Sequence, residues 1–213
     1  MSDPYTKDRE KMVQQQIMRR GVKNTSVLQA MRKVPRHEFV PQECRNLAYA
    51  DHPVAIGKGQ TISQPYIVAF MSEILQLEAT HRVLEIGSGC GYQTAVLAEI
   101  VKEVYTIEVV PFLATMAQRN LQNYSNIHFA EKDGFSGWPQ EAPFDRIIIT
   151  CAPPRVPQPL IEQLEIGGVM VVPEGTYIQS LKRIVRTTQH DVREEDMLDV
   201  RFVPMVGQAE MQS

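Results

Sequence analysis

The residues best suited to chemistry stand in one short run, Val83-Leu84-Glu85-Ile86-Gly87-Ser88-Gly89-Cys90-Gly91-Tyr92. An apolar stretch leads into glycines at 87, 89 and 91, with Ser88 between the first two. Alternating glycines let a backbone turn sharply and approach a ligand, because no Cβ intrudes. The dinucleotide fingerprint GxGxxG has a longer second gap. Glu85, two residues before the first glycine, would repel a pyrophosphate and attract a cation. The run therefore favours a ligand with a positive amino group over a dinucleotide. A bare structural turn is the bland alternative.

A second acid, Glu108, ends the apolar run Val104-Tyr105-Thr106-Ile107. An acid roughly 20 residues after a glycine loop, at the end of the next strand, is where nucleoside-binding folds hold a ribose diol. A carboxylate can accept both hydroxyl hydrogens. Alone, such an acid is more often simply solvated. Asp133-Gly134 follows a third short apolar run. Asp133 there could accept from the exocyclic amine of adenine, or the pair could be an ordinary Asp-Gly turn. Together these residues describe an adenosine with a cationic tail.

The elements that must position them follow from periodicity. From residue 82 onward strands alternate with helices: strands at Arg82–Ile86, 104–109, 127–130, 146–150 and 169–172, and helices at 93–100, Pro111–Leu121 and 157–164. That grammar predicts an α/β fold with a doubly wound, mostly parallel sheet and helices on both faces. Two last strands, near 181–187 and 200–203, are expected to form an antiparallel hairpin around the acidic stretch 193–196. The first 80 residues differ. A modest amphipathic helix over 7–20 ends at Gly21, and Asn24-Thr25-Ser26 caps a second helix that Pro35 stops. Residues 35–64 carry Pro35, Pro41, Pro53, Gly57 and Gly59 and read as irregular. Pro65 suits the first turn of another helix. The expected organisation is an N-terminal helical and loop extension over 1–80, packed on a core over 81–213, as one compact unit.

Composition narrows the function. The chain has 213 residues, 43% hydrophobic and 22% charged, enough to bury a core without disulfides or metals. The net charge of −3 shows none of the positive excess usual in nucleic-acid binders. Cys44, Cys90 and Cys151 are far apart and form no CxxC pair, which disfavours a structural zinc and suggests a reducing compartment. The polar start MSDPYTKDREK lacks the apolar stretch of a signal peptide, and no apolar run is long enough to span a bilayer. A cytoplasmic protein without metal, membrane or nucleic-acid partner is expected.

The glycine loop and Glu108 resemble the first motif and the ribose acid of the class I methyltransferases, which bind S-adenosylmethionine. A closer similarity, covering nearly the whole chain, is to the bacterial protein-L-isoaspartate O-methyltransferases. It rests on VPRHEFVP at 34–41, YAD at 49–51, IGKGQTISQP at 56–65, residues 83–93, PFD at 143–145, TCAP at 150–153, Gly167-Gly168 and RFVP at 201–204. The GQTISQP run, 59–65, is the most specific, since general methyltransferases lack it. Cys90 and Cys151 stand where the family often has small residues.

The resemblance implies a Rossmann-like enzyme that methylates the α-carboxylate of L-isoaspartyl residues in proteins and peptides. The ester then recyclises to a succinimide, some of which reopens as normal aspartate. It implies cofactor contacts at Glu85, Gly87, Ser88, Gly89, Gly91, Glu108, Asp133 and Gly134, and substrate contacts at Ile56, Thr61, Ser63, Val203 and Pro204. No metal is implied, and a monomer is expected. A carboxylate with a pKa near about 4 is already ionised at pH 7, so no general base is needed. What is needed is a donor that aims the anion. Ser63, in the loop just before a helix, is the candidate, with Thr61 the weaker one. Capping of that helix is the competing role for Ser63. The apolar run 203–206 offers either a strand edge for backbone pairing with a peptide or plain core packing. Two other functions stay open: methylation of a small molecule or RNA, and a nucleoside-sensing module that would not need the GQTISQP loop.

Overall fold

The computed structural model describes residues 3–209. The chain opens with helix α1 (Thr6–Met12), which continues through a π turn (Val13–Ile17) and a 3-10 turn (Met18–Arg20). Gly21, in the left-handed conformation at φ 97°, ends it. Helix α2 (Thr25–Lys33) starts at Asn24, whose side chain accepts from the Val27 N–H at 3.1 Å. Val27, Leu28, Ala30 and Met31 form its buried face.

Residues 35–64 are more ordered than their proline and glycine content suggests. Two 3-10 turns (Arg36–Glu38 and Gln42–Leu47) precede an antiparallel hairpin of β1 (Val54–Gly57) and β2 (Gln60–Ile62). Its turn residues Lys58 and Gly59 have φ of 54° and 72°, the type I′ pattern that matches strand twist. Lysine is not among the usual residues for that turn, which is why the sequence reads as irregular here. Helix α3 (Pro65–Ile74) follows with Pro65 in its first turn.

The large sheet has the order β5-β4-β3-β6-β7-β8-β9. Its strands are β3 (Arg82–Ile86), β4 (Glu103–Glu108), β5 (Ile127–Glu131), β6 (Phe144–Ile149), β7 (Leu164–Gly175), β8 (Gln179–Arg186) and β9 (Val192–Val200). The first five pair in parallel, and the β7–β8 and β8–β9 pairs are antiparallel. Helices α4 (Tyr92–Ala98), α5 (Pro111–Leu121) and α6 (Gln158–Glu162) connect the parallel strands. This is the expected doubly wound sheet with a C-terminal antiparallel hairpin.

The last strand is displaced from its expected place. β9 runs through the acidic stretch, while 200–203 lies mostly beyond it. A charged run reads as a turn, but here it forms the outer edge of the sheet, where charge discourages further pairing. Leu198 pairs with Leu181 on β8, while Glu194 and Asp196 stay exposed.

One apolar cluster joins Met12, Ile17, Met31 and Val54 to Tyr92 and Val96 of α4 and Leu113 and Leu121 of α5. The N-terminal elements are thereby packed onto the helices that follow the glycine loop. The ends of the two expected segments, 1–2 and 210–213, lie outside the described residues.

Candidate active site

The chain leaves β3 for β4 on one side of the sheet and later returns to β6 on the other side of β3. Ligands bind at such a switch point, outside the carboxyl ends of the strands. A cleft partly open to solvent lies there, at the kind of place where α/β folds hold small molecules. Gly87, Ser88, Gly89, Glu108, Gly134, Thr61, Ser63, Val203 and Pro204 all line it. Residues widely separated in sequence are thus brought to one place.

The glycine loop is shaped by close approach. Gly87 has φ 91°, and a Cβ there would stand 2.8 Å from Thr150 Oγ1. Thr150 Oγ1 donates to the Gly87 carbonyl at 2.5 Å, tying the end of β6 to the loop. Gly91 does not line the cleft. A Cβ on it would stand 2.9 Å from Leu121 Cγ, so this glycine serves the packing of α4 against α5. Ile56 is likewise behind the wall: its Cδ1 is 3.5 Å from where a Cβ on Gly89 would be.

Glu108 is 5% exposed and lines the cleft. Its Oε2 accepts from the Gly89 N–H at 2.8 Å, and its Oε1 accepts from the N–H groups of Val109 and Val110 at 3.0 and 2.9 Å. The carboxylate therefore holds the loop as well as facing the ligand space.

Two more of the expected contacts, Glu85 and Asp133, also sit behind the wall. Glu85 is fully buried and absent from the lining. Alternation along β3 turns it, with Val83, away from Leu84 and Ile86. Its Oε2 accepts from Thr94 Oγ1 at 2.5 Å and Thr106 Oγ1 at 2.6 Å, while Oε1 has no partner. Burial pushes its pKa up to about 7, with the two hydroxyls opposing and nearby Glu108 adding to the rise. Asp133 is also off the lining. Its carboxylate accepts from the Phe135 and Gln208 N–H groups, each at 2.8 Å, tying the Gly134 turn to the C-terminal segment.

Ser63 borders the cleft and a neighbouring recess lined by Pro53, Gln64, Ile67, Arg201 and Phe202. It does not cap α3: the cap position is Gln64, and no side chain bonds there. The Ser63 carbonyl accepts from Arg36 Nη2 at 2.7 Å, and among the described residues its hydroxyl has no hydrogen-bond partner. Ser88 is 5% exposed, and its Oγ likewise has no partner.

Val203 and Pro204 answer both readings of the 203–206 run. Ala152 donates to the Val203 carbonyl and accepts from the Met205 N–H, each at 2.8 Å. That side of the run is used by the protein, and Met205 is buried. Val203 and Pro204 border the cleft. Thr150 is the wall residue that motif reading passed over; its place at the end of a buried strand at the switch point was the available signal.

Cys151 lines the cleft, and burial pushes its thiol up to about 12; burial likewise pushes Cys90 up to about 11. Both are neutral thiols near pH 7. None of the five histidines lines the cleft. Among the described residues no cluster of His, Cys, Asp or Glu is arranged to hold a metal ion, and no helix is long and apolar enough to cross a membrane.

Comparison with known proteins agrees with this geometry. The family model for protein-L-isoaspartate(D-aspartate) O-methyltransferase matches residues 7–210. A protein-L-isoaspartate O-methyltransferase of Picosynechococcus sp. is 52% identical over 97% of this chain and 93% of the relative. One from Gloeobacter violaceus is 51% identical over 91% of this chain and 96% of the relative. A solved protein-L-isoaspartate O-methyltransferase superposes with a TM-score of 0.85 at 28% identity, covering 94% of this chain and 67% of that one. A Plasmodium falciparum protein solved in complex with S-adenosyl-L-homocysteine has a TM-score of 0.80 at 23% identity, over 96% and 99% of the two chains, and so shares the fold. With a family match over nearly its whole length and relatives at half identity, the chain belongs to the protein-L-isoaspartate(D-aspartate) O-methyltransferase family.

Proposed function

We propose that this protein transfers a methyl group from S-adenosyl-L-methionine to the α-carboxylate of L-isoaspartyl residues in damaged proteins and peptides, which initiates repair through a succinimide. The observation that carries the reading is the position of Ser63. It stands between the cleft of the glycine loop and the recess beside it, with a hydroxyl no other described residue uses.

The residues present fit the methyl donor. Gly87 leaves a wall that a side chain would fill, Ser88 Oγ is buried without a partner, and Glu108 presents a carboxylate at the strand end. Gly87, Ser88, Gly89, Glu108 and Gly134 would hold it. Glu85, Gly91 and Asp133 act from behind, keeping the loops in shape. When bound, S-adenosyl-L-methionine supplies an electrophilic methyl group on a sulfonium sulfur.

This chain's part is positioning. The isoaspartyl carboxylate is ionised at neutral pH and brings its own nucleophile. The absence of histidine from the wall and the neutral state of Cys90 and Cys151 support a mechanism with no protein base or nucleophile. Ser63 donates to one carboxylate oxygen and so turns the other toward the methyl. Thr61 lines the same wall and assists. Val203 and Pro204 border the peptide's path, with Ile56 shaping the loop beneath. Excluding water strengthens attraction between anion and cation, and orientation supplies much of the remaining rate gain.

The proposed state is a monomer. Three free cysteines support a reducing, cytoplasmic setting, and the net charge of −3 supports peptide rather than nucleic-acid substrates. The test is methyl transfer to a synthetic isoaspartyl peptide beside its normal aspartyl twin. Transfer to the isoaspartyl form alone is expected. Equal transfer to both, or to neither, refutes the reading.

A further inference from the structure

The motif at 34–41 contains an arginine that the mechanism above does not use. Arg36 opens the 3-10 turn Arg36–Glu38 and has no solvent exposure at all. Its Nε donates to the Ala48 carbonyl at 2.6 Å, and its Nη2 donates to the Ser63 carbonyl at 2.7 Å. Its guanidinium carbon lies 4.8 Å from the ring centroid of Tyr92. Nη1 has no hydrogen-bond partner.

Among the described residues no carboxylate pairs with this charge, and the ionisable groups that act on it most are Tyr92, Cys90 and Tyr49. Burial pulls its pKa down from the ordinary arginine value. A buried charge without a counter-ion is costly, and structures rarely keep one for stability alone. The contacts it makes show where that cost is used. A planar guanidinium can reach two carbonyls and a ring face at once, which an ammonium cannot. Through it, the loop carrying Ser63 is joined to Tyr92, the first residue of α4 after the glycine loop. The two walls of the cleft are thus held in register by one side chain.

We propose that Arg36 is a positioning residue for methyl transfer: it acts on Ser63 through the Ser63 carbonyl and aligns the substrate loop with the cofactor loop. The proposal rests on the reading of Ser63 given above. Arg36 meets the wall at Tyr92 and hydrogen-bonds none of Gly87, Ser88, Gly89, Glu108 and Gly134, so its loss should spare the affinity for the cofactor product. It should instead misplace the Ser63 hydroxyl, which matters only while that hydroxyl is present.

A double-mutant cycle with Arg36→Lys and Ser63→Ala tests this. The measurements are kcat and KM on an isoaspartyl peptide, titration with S-adenosyl-L-homocysteine, and thermal melting. Arg36→Lys is expected to lower kcat at least tenfold, with S-adenosyl-L-homocysteine affinity within about threefold of wild type. In the Ser63→Ala background the same change should have less than a third of that effect, because residues acting as a unit are non-additive. Equal effects in both backgrounds make Arg36 an independent structural residue and overturn the proposal. So does wild-type kcat in Arg36→Lys. A lysine variant that fails to melt cooperatively, or to bind S-adenosyl-L-homocysteine, overturns it too, because the residue then serves the fold. Wild-type turnover in Ser63→Ala alone is a separate result: it removes Ser63 from the chemistry, and with it the route by which Arg36 acts.

Discussion

Glu85→Gln should make the protein more stable at pH 8 and change it much less at pH 5. Glu85 is fully buried, two threonine hydroxyls share one of its oxygens, and the other oxygen has no partner. Burial penalises the charged form, and the pKa rises from 4.5 to about 7. The folded protein therefore holds this proton more tightly than the unfolded chain does. The stabilisation is fully present below the unfolded value and is lost as pH rises through the folded one. By linkage, the loss between pH 5 and pH 8 is about 2–3 kcal/mol. Glutamine has the same shape and cannot ionise, so its variant should lack this loss. Urea unfolding of both proteins at several pH values between 5 and 8 measures the difference directly. The two stability curves should diverge as pH rises, and the gap corresponds to roughly 4–12 °C in melting temperature for a chain of this size. Parallel curves would show that Glu85 stays ionised in the fold, with an unseen partner for its free oxygen.

Three further substitutions address the cleft itself. Ser63→Ala should lower turnover about tenfold to a hundredfold, the low end for loss of one donor at a reacting anion, because that anion loses charge on the way to the transition state. Melting temperature should hardly change, since the hydroxyl caps nothing, and steady-state kinetics at wild-type rates would return the role to Thr61 or the backbone. Glu108→Ala should weaken S-adenosyl-L-homocysteine binding at least tenfold by calorimetry, given charged hydrogen bonds worth about 1.5–3 kcal/mol each. It should also lower the melting temperature, because three backbone N–H groups lose their acceptor; unchanged affinity removes Glu108 from the site. Cys151→Ala should keep most activity, since a neutral thiol on the wall has no part in displacement by a carboxylate. A collapse of turnover with intact cofactor affinity would contradict that.

How well each part could be read from the sequence follows from the range of the interactions that determine it. The β3 strand, glycine loop and α4 are written locally: an apolar run, residues free to take positive φ, then helix formers. Glu108 could be placed because the end of a strand after such a loop has a defined neighbour. The direction of Glu85 could not. Every residue of β3 but the first is buried, on both faces, so a pattern of apolar residues does not say which side faces the ligand and which faces Thr94. β9 was obscured for a different reason. Edge strands carry charge to avoid pairing, and the same charges signal turns.

Arg36 is the furthest from sequence reading. Its carbonyl partners lie 12 and 27 residues away, and its aromatic partner, Tyr92, lies further along the chain than either. Nothing local distinguishes it from a surface arginine, and the residue type argues for exposure. Only the fold removes it from water, and only the fold shows that the carbonyl it holds belongs to Ser63. The chemistry proposed here asks little of acids and bases and much of alignment. In such a site the informative residues are those that hold two loops together, and they stand behind the wall rather than on it. Glu85 under the glycine loop, Asp133 under the Gly134 turn and Arg36 behind Ser63 follow that one pattern. Each is an ionisable group with its hydrogen bonds aimed at backbone or at threonine hydroxyls, while the carboxylate that faces the cleft is that of Glu108.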